Sequence, residues 1–304
     1  MGHDHSHGHA TAAHAHRGRL LVVLVLTLTV MLVEVVGGIV SGSFALVADA
    51  GHMLTDAAGV GLALGATALA ARPATAERTF GWQRAEMLAA LVNGLIIAVV
   101  GVLVIVGGLR RLFDPQEVEA GLMLAVAFVG LVANGIGLVL LVPGQRDSLN
   151  VRGAYLEVLG DLLGSAAVIV AALVVLATGF ERADAIASVV IGLMILPRAI
   201  GLLKQVATVL LEATPAGVDL DAVRAHICGV RGVVGVHDLH AWTITSGVPV
   251  LSAHVEVPEE VLERGDAGRV LDDLRHCLTG HFDVAHCTFQ LEPPSTTAEP
   301  HTHA

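Results

Sequence analysis

A chain of 304 residues that is 54% hydrophobic and only 15% charged, with a mean hydropathy of +0.74, lies outside the range of soluble domains, and most of it is expected in lipid. Its formal net charge of −11 argues against nucleic acid as a partner. Three scattered cysteines, Cys228, Cys277 and Cys287, exclude a disulfide scaffold.

Residues 1–16 come first. His3, His5, His7, His9, His14 and His16 alternate with small residues and carry no apolar pattern, so this tail is expected to be unfolded. Its neutral imidazoles suit loose capture of zinc, copper or nickel. Six apolar stretches follow, at residues 20–40, 44–70, 87–109, 120–142, 154–178 and 184–203. Each approaches or exceeds the roughly 20 residues that a spanning helix needs. The first reads as a retained span, because its apolar run is longer than the ~15 residues of a secretory leader. Arg17, Arg19, Arg72, Arg78, Arg84, Arg146 and Arg152 flank one side of this six-span path, against Arg110, Arg111 and Arg182 on the other. The first side is expected to be cytoplasmic, which puts both termini inside a multi-pass protein of the cell membrane. The transmembrane domain is bounded at 17–208.

Thr214 and Pro215 break the last apolar run and open a soluble domain, bounded at 209–294. Asp219 to Gly229 has helical spacing. Val233 to Thr245 and Val248 to Val257 alternate as two strands joined at Ser246 and Gly247. Glu259 to Gly280 returns to helical spacing, and Val284 to Leu291 reads as a last strand. The order is αββαβ, an α+β domain with one helical face. Residues 295–304 form a second polar tail.

The chemistry concentrates in two spans. At about 100° per residue, Asp49, His52 and Asp56 share one stripe of the second span, and Glu157 and Asp161 lie one turn apart on the fifth. The strings His52-Met-Leu-Thr-Asp56 and Glu157-Val-Leu-Gly-Asp161 echo each other, as internal repeats that frame transporter sites do. If the two helices face each other, His52, Asp56, Glu157 and Asp161 surround one point. Nitrogen and carboxylate oxygen in a tetrahedron suit zinc or a similar transition metal, whereas magnesium and calcium want more oxygens and no imidazole. The bland alternative is helix packing through buried polar groups. Four ionisable groups argue against it, since each costs about 2.5–3.5 kcal/mol at the bilayer centre unless paired. Asp49 and Glu34 of the first span are each an outer ligand, a proton carrier or a packing residue. Metal and protons should compete for the same groups, which predicts metal/proton antiport. A membrane metalloprotease is set aside, because the chain holds no His-Glu-x-x-His string and is not expected to be an enzyme. A passive metal channel or a membrane-anchored metal sensor stays open as the alternative.

Several strings resemble those of the cation diffusion facilitators, in particular the zinc-exporting branch. They are Ala48-Asp49-Ala50-Gly51-His52-Met53-Leu54-Thr55-Asp56, Gly160-Asp161-Leu162-Leu163-Gly164-Ser165, Phe80-Gly81-Trp82-Gln83-Arg84-Ala85-Glu86 and Val236-His237-Asp238-Leu239-His240-Ala241-Trp242. The resemblance covers nearly the whole chain. It implies a homodimer with six spans and a cytoplasmic ferredoxin-like domain, zinc export in exchange for protons, and a transport site shared by the second and fifth spans. It also implies a cytoplasmic zinc site, carried over to His237, His254 and His286, that regulates by drawing the two copies together. His240, three residues from His237, is expected on the opposite sheet face. One departure bears on selectivity. Many zinc-selective members carry His at the position of Glu157, so this site is one His and three carboxylates, a harder set that weakens discrimination against cobalt, manganese or cadmium.

Overall fold

The computed structural model describes residues 7–144, 149–281 and 286–294. Six long helices come first: α1 (His7–Ser41), α2 (Phe44–Ala70), α3 (Ala85–Phe113), α4 (Ala120–Leu141), α5 (Leu149–Thr178) and α6 (Arg182–Leu210). All six have the length and apolar composition to cross a membrane. Most outlast the apolar stretches that announce them, because polar end turns continue a helix without a hydropathy signal. The largest difference is at the N-terminus. Helix α1 begins at His7, within the tail expected to be unfolded, and Ala10, Ala12, Ala13 and Ala15 supply the helix propensity. The rest of that tail, residues 1–6, and the tail 295–304 lie outside the described residues.

Two compact units divide the chain. One comprises Met1–Leu62 and Val92–Leu202; the other comprises Ala63–Leu91 and Leu203–Ala304. The division therefore differs from a single cut at 208. The end of α2, its loop to α3 and the first turns of α3 group with the C-terminal domain.

In the first unit, Leu46, Ile97, Met123, Val168 and Ile191 belong to the main buried cluster. Small residues such as Ala45, Ala127 and Ala172 in the same cluster let helix backbones approach, the usual packing device in lipid. A buried carboxylate sets the register of two helices. Asp184, in the first turn of α6, accepts from Ser43 Oγ at 2.6 Å and from the backbone N–H groups of Phe44 at 2.9 Å and Ala45 at 3.2 Å. It thus caps the free amides at the start of α2 and sits at the positive end of that helix dipole. Arg111 of α3 donates to the Gly42 carbonyl at 2.7 Å and lies 3.7 Å from Asp184. That structural role accounts for an arginine on the side of the membrane that the charge bias leaves poor. Starting from one pinned point, α2 and α6 run the same way. At ~1.5 Å per residue, positions 56 and 198 come to similar depths, about 18 and 21 Å along their helices.

In the second unit, α7 (Leu220–Cys228), β1 (Gly235–Thr243), β2 (Pro249–Glu256), α8 (Glu259–Glu263), α9 (Ala267–His281) and β3 (His286–Glu292) form a three-stranded sheet with helices. The αββαβ order stands, with its second helix in two pieces. Gly265, at φ 74°, breaks that helix between α8 and α9. Asp219 caps α7 by accepting from the amides of Asp221 and Ala222. Strands β1 and β2 are antiparallel, whereas β3 joins β2 in parallel after the α8–α9 crossover. Leu239, Leu251, Ala253 and Val255 turn to the core with Val223, Ile227, Val270 and Leu274 of the helices. The opposite sheet face carries the histidines.

Candidate metal centres

Helix α2 presents Asp49, His52 and Asp56 as its periodicity predicts. Asp49 and His52 are buried, and the side chain of Asp56 is 13% exposed. His52 Nε2 and Asp56 Oδ2 stand 3.7 Å apart one helical turn from each other. That is close to the roughly 3.4 Å edge of a tetrahedron with zinc bonds of about 2.0–2.2 Å. Helix α5 contributes Glu157, whose side chain is 37% exposed, and the buried Asp161. A cavity of about 240 Å³ is lined by Met53, Asp56 and Val60 of α2 and by Glu157, Val158 and Asp161 of α5, with α1 closing another side.

The four groups are near one another, yet they do not close around a single point. The guanidinium of Arg198 in α6 stands between two of them. Its Nη1 donates to Asp56 Oδ2 at 2.9 Å and its Nη2 to Glu157 Oε1 at 2.7 Å. Arg198 follows Pro197, and a charged residue in mid-span is the sequence signal that could have flagged it.

In the same unit, Glu34 of α1, Asp49 and Asp161 are all buried. Both oxygens of Glu34, Asp49 Oδ2, Asp161 Oδ1, His52 Nδ1 and Ser165 Oγ have no hydrogen-bond partner among the described residues. Two glycines make room for them. A Cβ at Gly164 would abut Asp49 Oδ1, and one at Gly130 would fall 2.6 Å from Glu34 Oε1. Buried polar atoms without partners are costly, and this cluster is a candidate place for a cation, protons or water to supply them.

The second centre lies on the sheet. His237 of β1 pairs across the ladder with His254 of β2, and Glu292 ends β3 next to Glu256. His237 Nε2 is 2.6 Å from Glu292 Oε1, and His254 Nδ1 is 3.3 Å from Glu292 Oε2. One ligand atom from each of the three residues lies within 4.8 Å of the others, the only such trio among the described residues. Two imidazoles and a carboxylate suit zinc with a water in the fourth position. Partial burial works to raise the pKa of Glu292, but hydrogen bonds from His237 and Gln290 and the charges of His254 and His237 bring it below its ordinary 4.5. Burial pushes the Cys287 thiol up, opposed by Arg275, and Cys287 packs against the core, so it offers no thiolate to this face.

Two expectations for this face are corrected. His286 pairs with Val250 at the opposite end of the β2–β3 ladder and packs edge-on to the Phe80 ring at 5.9 Å, so Glu292 takes the place expected for it. His240 lies on the same face as His237, because a bulge between them adds a residue to β1 and reverses the alternation. Asp238 takes up the strain at φ 45°.

Residues 20–211 match the family profile described as "Cation efflux transmembrane domain", and residues 215–294 match "Cation efflux protein, cytoplasmic domain". The chain belongs to the cation efflux family. Curated members are similar over most of their length. Cation efflux system protein CzcD of Alcaligenes sp. (strain CT14) is 44% identical over 262 residues, 86% of this chain and 82% of that one. Zinc transporter ZitB of Escherichia coli (strain K12) is 42% identical over 264 residues, 86% of this chain and 83% of that one. The cadmium, cobalt and zinc/H(+)-K(+) antiporter of Bacillus subtilis (strain 168) is 35% identical over 275 residues, 90% and 86% respectively. The family resemblance read from the motifs is thereby established, and the family is one of transporters.

Proposed function

We propose that the chain exports a divalent transition metal across the cell membrane in exchange for protons, with zinc the leading cargo and cobalt, cadmium and manganese the alternatives. The observation that carries this is one cavity lined by Asp56 of α2 and by Glu157 and Asp161 of α5, with His52 Nε2 3.7 Å from Asp56 Oδ2. Similarity to a zinc transporter and to a cadmium, cobalt and zinc/H(+)-K(+) antiporter supports both cargo and coupling. Asp49 serves as a further ligand or proton carrier at the edge of the site. The arginine bias supports cytoplasmic termini. The matched cytoplasmic-domain profile supports a homodimer in which zinc on His237, His254 and Glu292 regulates transport.

Metal uptake into energised inverted vesicles, or into proteoliposomes with an imposed pH gradient, tests the reading. Uptake against a metal gradient should stop when the pH gradient is dissipated, and Asp161→Ala should be inactive. Downhill flux indifferent to the pH gradient would instead indicate a channel.

A further inference from the structure

Arg198 is a fixed positive charge on the two carboxylates assigned to metal. Asp56 Oδ2 receives Arg198 Nη1 at 2.9 Å and, on its other side, faces His52 Nε2 at 3.7 Å. The oxygen best placed to share a metal with His52 is therefore already engaged by a cation. Glu157 Oε1 takes the other arm of the same guanidinium at 2.7 Å. Charge-assisted contacts of this length are the strong class of hydrogen bond, and the planar fork holds both carboxylates at once.

We infer that Arg198 is a tethered competing cation: it occupies Asp56 and Glu157 between loads, is displaced as a divalent transition metal enters, and returns as the metal leaves. The inference rests on the transport-site reading above. Three features support it. A guanidinium and a divalent metal on one carboxylate oxygen repel, so seating the metal requires Arg198 to withdraw. Side-chain packing within the chain leaves Arg198 room to move, since its side chain is 42% exposed. Pro197 immediately precedes it within α6, where the missing N–H and the ring clash weaken the helix ladder and permit a hinge. The functional gain lies in release. One imidazole and three carboxylates would hold a divalent cation tightly, and a transport site must bind weakly enough to let go. A built-in competitor lowers affinity without removing a ligand.

Zinc binding to the full-length protein in nanodiscs, by competition with a chromogenic chelator, tests this in a His254→Ala background that removes the sheet centre, with Arg198→Gln and Asp56→Ala each added to it. Arg198→Gln should bind zinc about tenfold tighter and release it more slowly, mostly through the dissociation rate. In proteoliposomes its KM and kcat should fall together. Because Arg198→Gln could misfold, a second measurement uses the wild type: saturating zinc should raise labelling of Arg198 by phenylglyoxal, read by mass spectrometry. Unchanged or weaker zinc binding by folded Arg198→Gln, or labelling that zinc leaves unchanged or lowers, overturns the inference. Unreduced affinity on adding Asp56→Ala would instead overturn the transport-site reading, which keeps the two failures distinguishable.

Discussion

The two candidate metal centres differ in what holds their proposed ligands. On the sheet, cross-strand register sets His237 opposite His254 and brings Glu292 alongside, so one ligand atom from each of the three stands within 4.8 Å of the others. In the first unit, the proposed ligands come from α2 and α5, and Arg198 bonds to two of them, Asp56 and Glu157. Strand ladders repeat at fixed spacing and make a preformed site. Helices joined mainly by side-chain packing can shift against one another, as a site that must open in turn to two sides requires. The first arrangement suits a sensor and the second a carrier.

The sharpest way to break this contrast is to remove a carrier ligand. Asp161→Ala should lower zinc transport by about 100-fold or more, beyond the 10–100-fold cost of losing residues that merely support ligands. Counterflow in proteoliposomes measures it, and substantial residual flux would dissolve the distinction. Glu157→His comes next. It should shift the zinc-to-manganese transport ratio toward zinc by about tenfold, because imidazole prefers zinc and carboxylate suits manganese. An unchanged metal profile would take Glu157 out of the ligand set.

Changes at the sheet should act on binding more than on flux. His254→Ala should weaken zinc binding to the cytoplasmic domain by about tenfold or more and leave basal transport at saturating zinc within about twofold, as a regulatory site requires. Loss of all transport in this variant would make the second centre part of the carrier. The smallest effect is on acid stability. The carboxyl of Glu292 titrates below its ordinary 4.5 in the folded domain, so its ionised contacts contribute stability that is present above pH 4.5 and lost as the pH falls through the lower folded value. Glu292→Gln should flatten that loss. Amide exchange along β3, followed from about pH 6 down to about pH 3, reads it; parallel acid profiles for wild type and variant would count against the contacts.

Much of this was legible because lipid and metal chemistry leave strong local marks. Hydropathy placed six spans, helical period put Asp49, His52 and Asp56 on one stripe, and β-branched alternation located the strands. What was lost depended on partners distant in sequence or on single-residue irregularities. The alternation argument for His240 failed at one bulge, and His286 gave way to Glu292 because parallel pairing of β3 sets which end meets His254. The stretch 7–16, where histidines interrupt small residues, holds no continuous apolar run to announce the start of α1.

The sequence by itself determined the membrane class, the order of elements and the residue types able to hold a metal, since these follow from composition and period along one segment. Only the tertiary structure decided that Arg198 reaches Asp56 and Glu157. That contact depends on Asp184 pinning the starts of α2 and α6 together, so that residues 142 positions apart come to the same depth, and no local pattern encodes such a match.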